Sequence, residues 1–186
     1  MSPIPDFDHN HVLPPHLGNP TNRTHLSPYS CTILELCHKF ATSNDRIEIL
    51  KGFVNFRQKM TNTGIINGFQ WLDGSFLENI EVLENRQPRD LDLVTFYGTL
   101  TIAEQTIIKA NFPEFIDTAL AKTNYHLDHY AVDYSFKPDV TVELTRYWIQ
   151  LFTHNRNGQW KGILRLPLNT NIDDQHAIDF LNVLNI

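Results

Sequence analysis

Cysteine is scarce in this chain: Cys31 and Cys37 are its only two thiols. Their C-x5-C spacing matches no zinc or redox motif, so both read as small apolar residues of a helix in "SCTILELCHKF". Charge is modest as well, at 19% of residues with a formal net charge of −6. That balance argues against binding duplex DNA through the whole surface. No apolar run approaches the roughly 20 residues of a membrane span. The opening "MSPIPDFDHNHVLPPH" has neither the basic nor the apolar region of a secretory signal, and the cytoplasm is the expected compartment. There is no internal repeat.

What is present fits one domain with an appendage. A chain of 186 residues buries about 70% of its unfolded surface in a single core. Six of the ten prolines fall in the first 28 residues, with four histidines and little hydrophobic periodicity. Residues 1–28 therefore read as an extended arm and 29–186 as the domain. Val12, Leu13 and Leu17 punctuate the arm and are expected to dock it against the domain. The "HNH" of His9 and His11 has no partner at ligand spacing and reads as part of that polar arm.

Helical spacing marks residues 30–41 (Ile33, Leu34, Leu36, Cys37, Phe40) and 45–60 (Ile47, Leu50, Val54). "IINGFQWL" (65–72) and "DLDLVTFY" (90–97) read as strands, with Asp73-Gly74-Ser75 as a turn after the first. Helices are expected over "TIAEQTIIKANF" and over "PEFIDTALAKT", which opens on Pro113. A strand is expected over 129–136, a helix over 141–153, and a turn around Asn157-Gly158. A short strand in "KGILRLPL" and a closing helix from Asp173 or Asp174 complete a mixed α/β, α+β order of elements.

The unusual feature is a pair of carboxylates inside an aliphatic strand. Residues two apart on a strand share a face, which puts Asp90 and Asp92 side by side at roughly 6.7 Å while Leu91 and Leu93 turn into the core. Such a pair repels itself unless a cation or proton intervenes, and oxygen ligands on a rigid strand suit Mg²⁺. A two-ion centre calls for a third carboxylate. Asp133, mid-strand in "AVDYSF", is the expected one; Asp128, ahead of that strand, and Glu143, at a helix start, are weaker candidates. Gly74-Ser75 adds a turn at which backbone N–H groups and a hydroxyl can hold phosphate oxygens.

"DGSF" followed by "PRDLDLV" resembles the signature of the nucleotidyltransferase superfamily of the DNA polymerase beta type: Gly-Ser, a gap, an Asp-x-Asp strand, and a lone acidic residue on a later strand. The gap from Ser75 to Asp90 is longer than in many minimal members, and its Glu78, Glu81 and Glu84 fit an extra turn of helix. "VLPPH", "GFQWLDGSF" and "RYWIQLFTHNRNGQWKGILRLPL" are similar to a bacterial and phage-associated family of nucleotidyltransferase-like proteins. The resemblance implies a short mixed sheet flanked by helices, with Asp90, Asp92 and Asp133 as catalytic and metal-binding residues at one end. It implies Mg²⁺ (or Mn²⁺) as cofactor and an NTP substrate. The acceptor stays open between an RNA end, a protein side chain and a second nucleotide, and a toxin–antitoxin or phage-defence setting is the expectation by analogy. The alternative is a non-catalytic module of the same fold that senses a nucleotide or docks a partner.

Arg146, Arg156, Lys161 and Arg165 gather positive charge around Tyr147, Trp148 and Trp160. Arg156 and Lys161 are the expected triphosphate contacts, and Tyr147 and Trp148 read as core. His126 and His129 flank Asp128 in "HLDH", but a passage from loop to strand breaks ligand geometry there, so the histidines read as structural. Trp71 reads as a core aromatic.

Overall fold

The computed structural model describes residues 4–184. Among the described residues the fold is α+β, with seven α-helices and a five-stranded mixed sheet. The helices are α1 (Ile33–Phe40), α2 (Asn44–Asn62), α3 (Ile80–Glu84), α4 (Ile102–Asn111), α5 (Thr118–Tyr125), α6 (Pro138–Phe152) and α7 (Asn171–Val183). The strands are β1 (Tyr29–Ser30), β2 (Gly68–Asp73), β3 (Leu91–Tyr97), β4 (Leu127–Asp133) and β5 (Leu164–Pro167), in the order β1-β5-β2-β3-β4. β2 runs antiparallel to both β3 and β5, and β3 runs parallel to β4.

Local chemistry sets the helix starts. Thr32 and Glu35 form a reciprocal capping box on α1, Ser43 caps α2, and Asp117 accepts from the N–H groups of Ala119 and Leu120 at the start of α5. Pro113 opens a separate 3₁₀ turn, Pro113–Phe115, so the expected helix over "PEFIDTALAKT" divides in two. The glutamate-bearing insertion does form a short helix, α3. Residues 1–3 and 185–186 of the expected arm and closing helix lie outside the described residues.

Each face of the sheet packs differently. One face carries Leu72, Leu91, Leu93 and Leu127 into the main core with α1, α2 and α7. The other carries Trp71, Val94, Phe96 and Val132 into a smaller cluster under Trp148 and Phe152 of α6. Trp148 is thus core as expected, while Tyr147 beside it is exposed. Cys31 and Cys37 are free and buried, and burial pushes both thiols up to about 12.

The arm is docked along part of its length. Ile4, Val12 and Leu13 are buried, but Leu17 stands 47% exposed and does not serve as an anchor. Val12 bridges to Glu78, Asn79 donates its N–H to the His11 carbonyl at 2.9 Å, and Gly162 donates to the Leu13 carbonyl at 2.7 Å. A Cβ at Gly162 would collide with the Pro14 carbonyl, which fixes glycine at this close approach. The arm therefore ties together the segments carrying Glu78 and Lys161.

Candidate functional site

Strand register builds the site. β2 pairs Asp73 with Asp92, and β4 pairs Asp92 with Asp128. Residues in register share a face, and neighbouring strands are about 4.8 Å apart, so three aspartates form a row across one end of the sheet on the α6 side. Asp90 lies two residues before Asp92 and completes the group. All four line one cavity of about 320 Å³ with Gly74, Ser75, Glu78, Lys122, Arg156 and Lys161.

Asp133 is not in this group. It pairs with Tyr97 at the far end of β3 and β4. Five residues from Asp128, it lies roughly 17 Å along the strand at about 3.4 Å per residue, and the odd spacing turns it to the opposite face. Its carboxylate accepts from the Ser135 N–H and hydroxyl, closing the turn after β4. The third carboxylate of the site is Asp128 instead. The displacement has a local cause: His126 takes a left-handed conformation (φ 58°) that ends α5, and β4 starts at once at Leu127 rather than at residue 129. Asp73, expected in a turn, is likewise the last residue of β2.

Gly74 is required where it stands. Its φ is 82°, and a Cβ there would fall inside the Asp92 carboxylate. The Gly74-Ser75 turn thus rests directly on the middle aspartate. Arg46 holds the segment after that turn: it donates to the carbonyls of Phe76 (2.7 Å) and Glu78 (2.8 Å) and to both Glu81 oxygens.

Charge is unevenly balanced. Lys161 is almost fully buried, with Nζ 2.8 Å from Asp73 Oδ1 and 2.6 Å from Glu78 Oε1. Burial alone would lower its pKa, but the two carboxylates outweigh that and hold it above the usual lysine value. Expected as a triphosphate contact, it is instead the fixed counter-ion of Asp73 and Glu78. Lys122 on α5 reaches Asp90 Oδ2 at 2.6 Å. Asp92, in the middle of the row, is pushed up to about 7 by burial and then by Asp73, Asp90 and Asp128. Burial pushes Asp73 up to about 6, with Lys161 partly offsetting it.

Arg156 lines the rim of the cavity on the Asn157-Gly158 turn and is exposed. Arg146 does not line the cavity and pairs with Glu143 on the same helix, while Arg165 stacks over Phe69 at 4.2 Å. His129 is buried, within 2.9 Å of the Thr95 hydroxyl, and burial pulls its pKa down to about 3, which keeps it neutral and structural. Among the described residues no three His, Cys, Asp or Glu side chains stand as a ready-made metal cage. The aspartate group is an oxygen donor set with surplus negative charge, in which lysines hold Asp73, Asp90 and the adjoining Glu78.

Fold and site together define an α+β protein with an aspartate row at the open end of a mixed sheet. The chain belongs to a family of unknown function, DUF6932, whose profile matches residues 5–167. No curated protein and no solved structure matches it. Among the described residues no helix is long and apolar enough to cross a membrane.

Proposed function

We propose that this protein is a metal-dependent nucleotidyltransferase that moves NMP from an NTP to a hydroxyl acceptor. The observation that carries this reading is that Asp90, Asp92 and Asp128 line one cavity at one end of the sheet, with the Gly74-Ser75 turn seated on Asp92. Gly-Ser, an Asp-x-Asp strand and an acidic residue on a later strand are what the sequence resemblance calls for, with Asp128 in the place that sequence alone assigns to Asp133.

The donor set suits Mg²⁺ or Mn²⁺: hard carboxylate oxygens on and just ahead of rigid strands, in a row whose middle member is disfavoured as an anion by burial and then by its neighbours. Asp90, Asp92 and Asp128 would hold the cation. Bound there, it would neutralise charge developing on the phosphates. Ser75, the Gly74-Ser75 backbone and Arg156 bind and orient the triphosphate. Lys161 keeps Asp73 and Glu78 fixed beneath that turn. The acceptor hydroxyl oxygen attacks the α-phosphorus, its proton passes to Asp128, the bond to the β-phosphate oxygen breaks, and pyrophosphate leaves. Positioning and charge neutralisation account for most of such a reaction, so few side chains suffice. A cytoplasmic setting belongs to the same reading, since it supplies NTPs and keeps buried thiols reduced.

One observation favours a second reading, a nucleotide-sensing or partner-docking module without chemistry: Lys122 and Lys161 already pair with Asp90, Asp73 and Glu78. Incubation with each labelled NTP and Mg²⁺ or Mn²⁺, with cellular RNA and protein as acceptors, separates the two. Transfer by wild type is expected to vanish in Asp90→Asn/Asp92→Asn and in Asp128→Asn and to persist in Asp133→Asn. Label transfer that survives the double substitution sinks the assignment. Nucleotide binding with no transfer to any acceptor moves the conclusion to the sensing module.

A further inference from the structure

Two lysines reach the carboxylates, and they are held in opposite ways. The Lys161 side chain is 2% exposed and sits between Asp73 and Glu78, with a further contact to the Gly74 carbonyl at 3.3 Å. It cannot leave without stripping two buried carboxylates of their counter-ion. The Lys122 side chain is 55% exposed and pairs with Asp90 alone among the hydrogen-bonding carboxylates, although the charges of Asp128 and Asp92 also bear on it. Partly exposed pairs of this kind are held weakly. Its backbone belongs to α5, which ends at His126 directly ahead of β4, so the ammonium group can move while its anchor stays.

On the divalent-cation reading given above, we propose that Lys122 is a tethered competitor for the cation: its ammonium occupies the Asp90 end of the aspartate row and is displaced into solvent when a divalent cation binds. Asp90 and Asp92 line the same cavity and Lys122 lies 2.6 Å from Asp90, so a cation gripped by both would lie close to the Lys122 ammonium as it now stands. Like charges that close repel, and the exposed lysine is the one free to go. Lys122 thereby sets how much cation the site demands, since each binding event breaks the Asp90 pair.

The test uses the whole protein at low ionic strength, with Mn²⁺ alone as the probe, followed through the electron paramagnetic resonance signal of free Mn²⁺. Lys122→Met, which keeps the stem and removes the charge, is expected to bind Mn²⁺ roughly three- to tenfold more tightly than wild type, and Lys122→Arg to stay near wild type. Equal affinity in Lys122→Met and wild type overturns the displacement. Absence of Mn²⁺ binding in wild type and both variants defeats the divalent-cation reading itself and takes this proposal with it. Independently of affinity, acylation of the Lys122 amine in wild type, mapped by mass spectrometry, is expected to speed up at saturating Mg²⁺. An unchanged rate with Mg²⁺ bound overturns the proposal.

Discussion

Two charged clusters in this molecule teach opposite lessons. Behind the sheet, Arg57 of α2 is buried with Asp174 of α7 at 2.9 Å, and it also donates to Gln70 (2.6 Å), the Pro167 carbonyl (3.0 Å) and Thr170 (2.5 Å). One cation meets one anion, and neutral acceptors take its remaining donors. At the sheet end, the carboxyls of Asp73, Glu78, Asp90, Asp92 and Asp128 line one cavity, and among the described residues the ion pairs made there are those of Lys122 and Lys161. A balanced buried network specifies how helices and sheet pack. An unbalanced one stores repulsion that packing does not explain and that a bound cation would relieve, which is what makes the sheet end the candidate site.

The contrast predicts opposite responses to neutralising a charge. Arg57→Met should cost about 3–5 kcal/mol, because it strands Asp174 and Gln70 in the core. Adding Asp174→Leu should restore much of that loss, read by urea unfolding of both variants. If the single change costs under about 1 kcal/mol, the network is not the packing device described. Lys161→Met should come next at about 2–4 kcal/mol, since it orphans Asp73 and Glu78. Its cost should shrink at acidic pH, where Asp73, pushed up to about 6 by burial, takes up a proton; a cost independent of pH would show that the lysine stem rather than its charge matters.

How far the sequence reveals these clusters depends on periodicity. Asp90 and Asp92 are legible because Leu91 and Leu93 fix the phase of β3, and Gly74 because a glycine after "QWLD" signals a backbone that no other residue adopts easily. Asp128 and Asp73 are not, since each sits at a strand boundary, where pattern reading errs by a few residues. A one-residue change of phase exchanges the two faces of a strand. A strand taken to start at residue 129 makes Asp133 look central, although it faces the other way. The left-handed His126 that moves the boundary leaves no mark in composition. The partners of Lys161 and Arg57 are more distant still: Lys161 meets Glu78 and Arg57 meets Asp174 only through sheet order and helix packing, which local patterns do not encode.

At the unbalanced cluster, removing charge should help the fold. Burial, and then the charges of Asp73, Asp90 and Asp128, push Asp92 up to about 7 from an ordinary 3.8. Between those values the native state holds a proton that the unfolded chain has lost, so metal-free stability should fall as pH rises through this window. The cost is absent below the window and complete above it. Asp73, raised to about 6, adds a loss of the same sign over the lower part of the window. Asp92→Asn should therefore raise stability at pH 8 by about 2 kcal/mol after solvent screening and flatten the slope. Thermal unfolding at several pH values in a chelator checks it, and a variant less stable than wild type at pH 8 would mean that the carboxylate is satisfied in the metal-free protein.

The smallest effect separates the two lysines. Lys122→Met removes a charge from the same cluster as Lys161→Met, yet the Lys122 side chain is 55% exposed against 2% for Lys161. Its pair with Asp90 is partly exposed and screened, so the loss should stay within about 0.5 kcal/mol in chelator at 0.15 M salt. Lowering the salt should deepen the loss slightly, because Asp90 then feels Asp92 and Asp128 more strongly. Urea unfolding of both lysine variants side by side gives the measurement. Equal costs would mean that Lys122 is as structural as Lys161, and the division of this cluster into a fixed half and an exchangeable half would have to be given up.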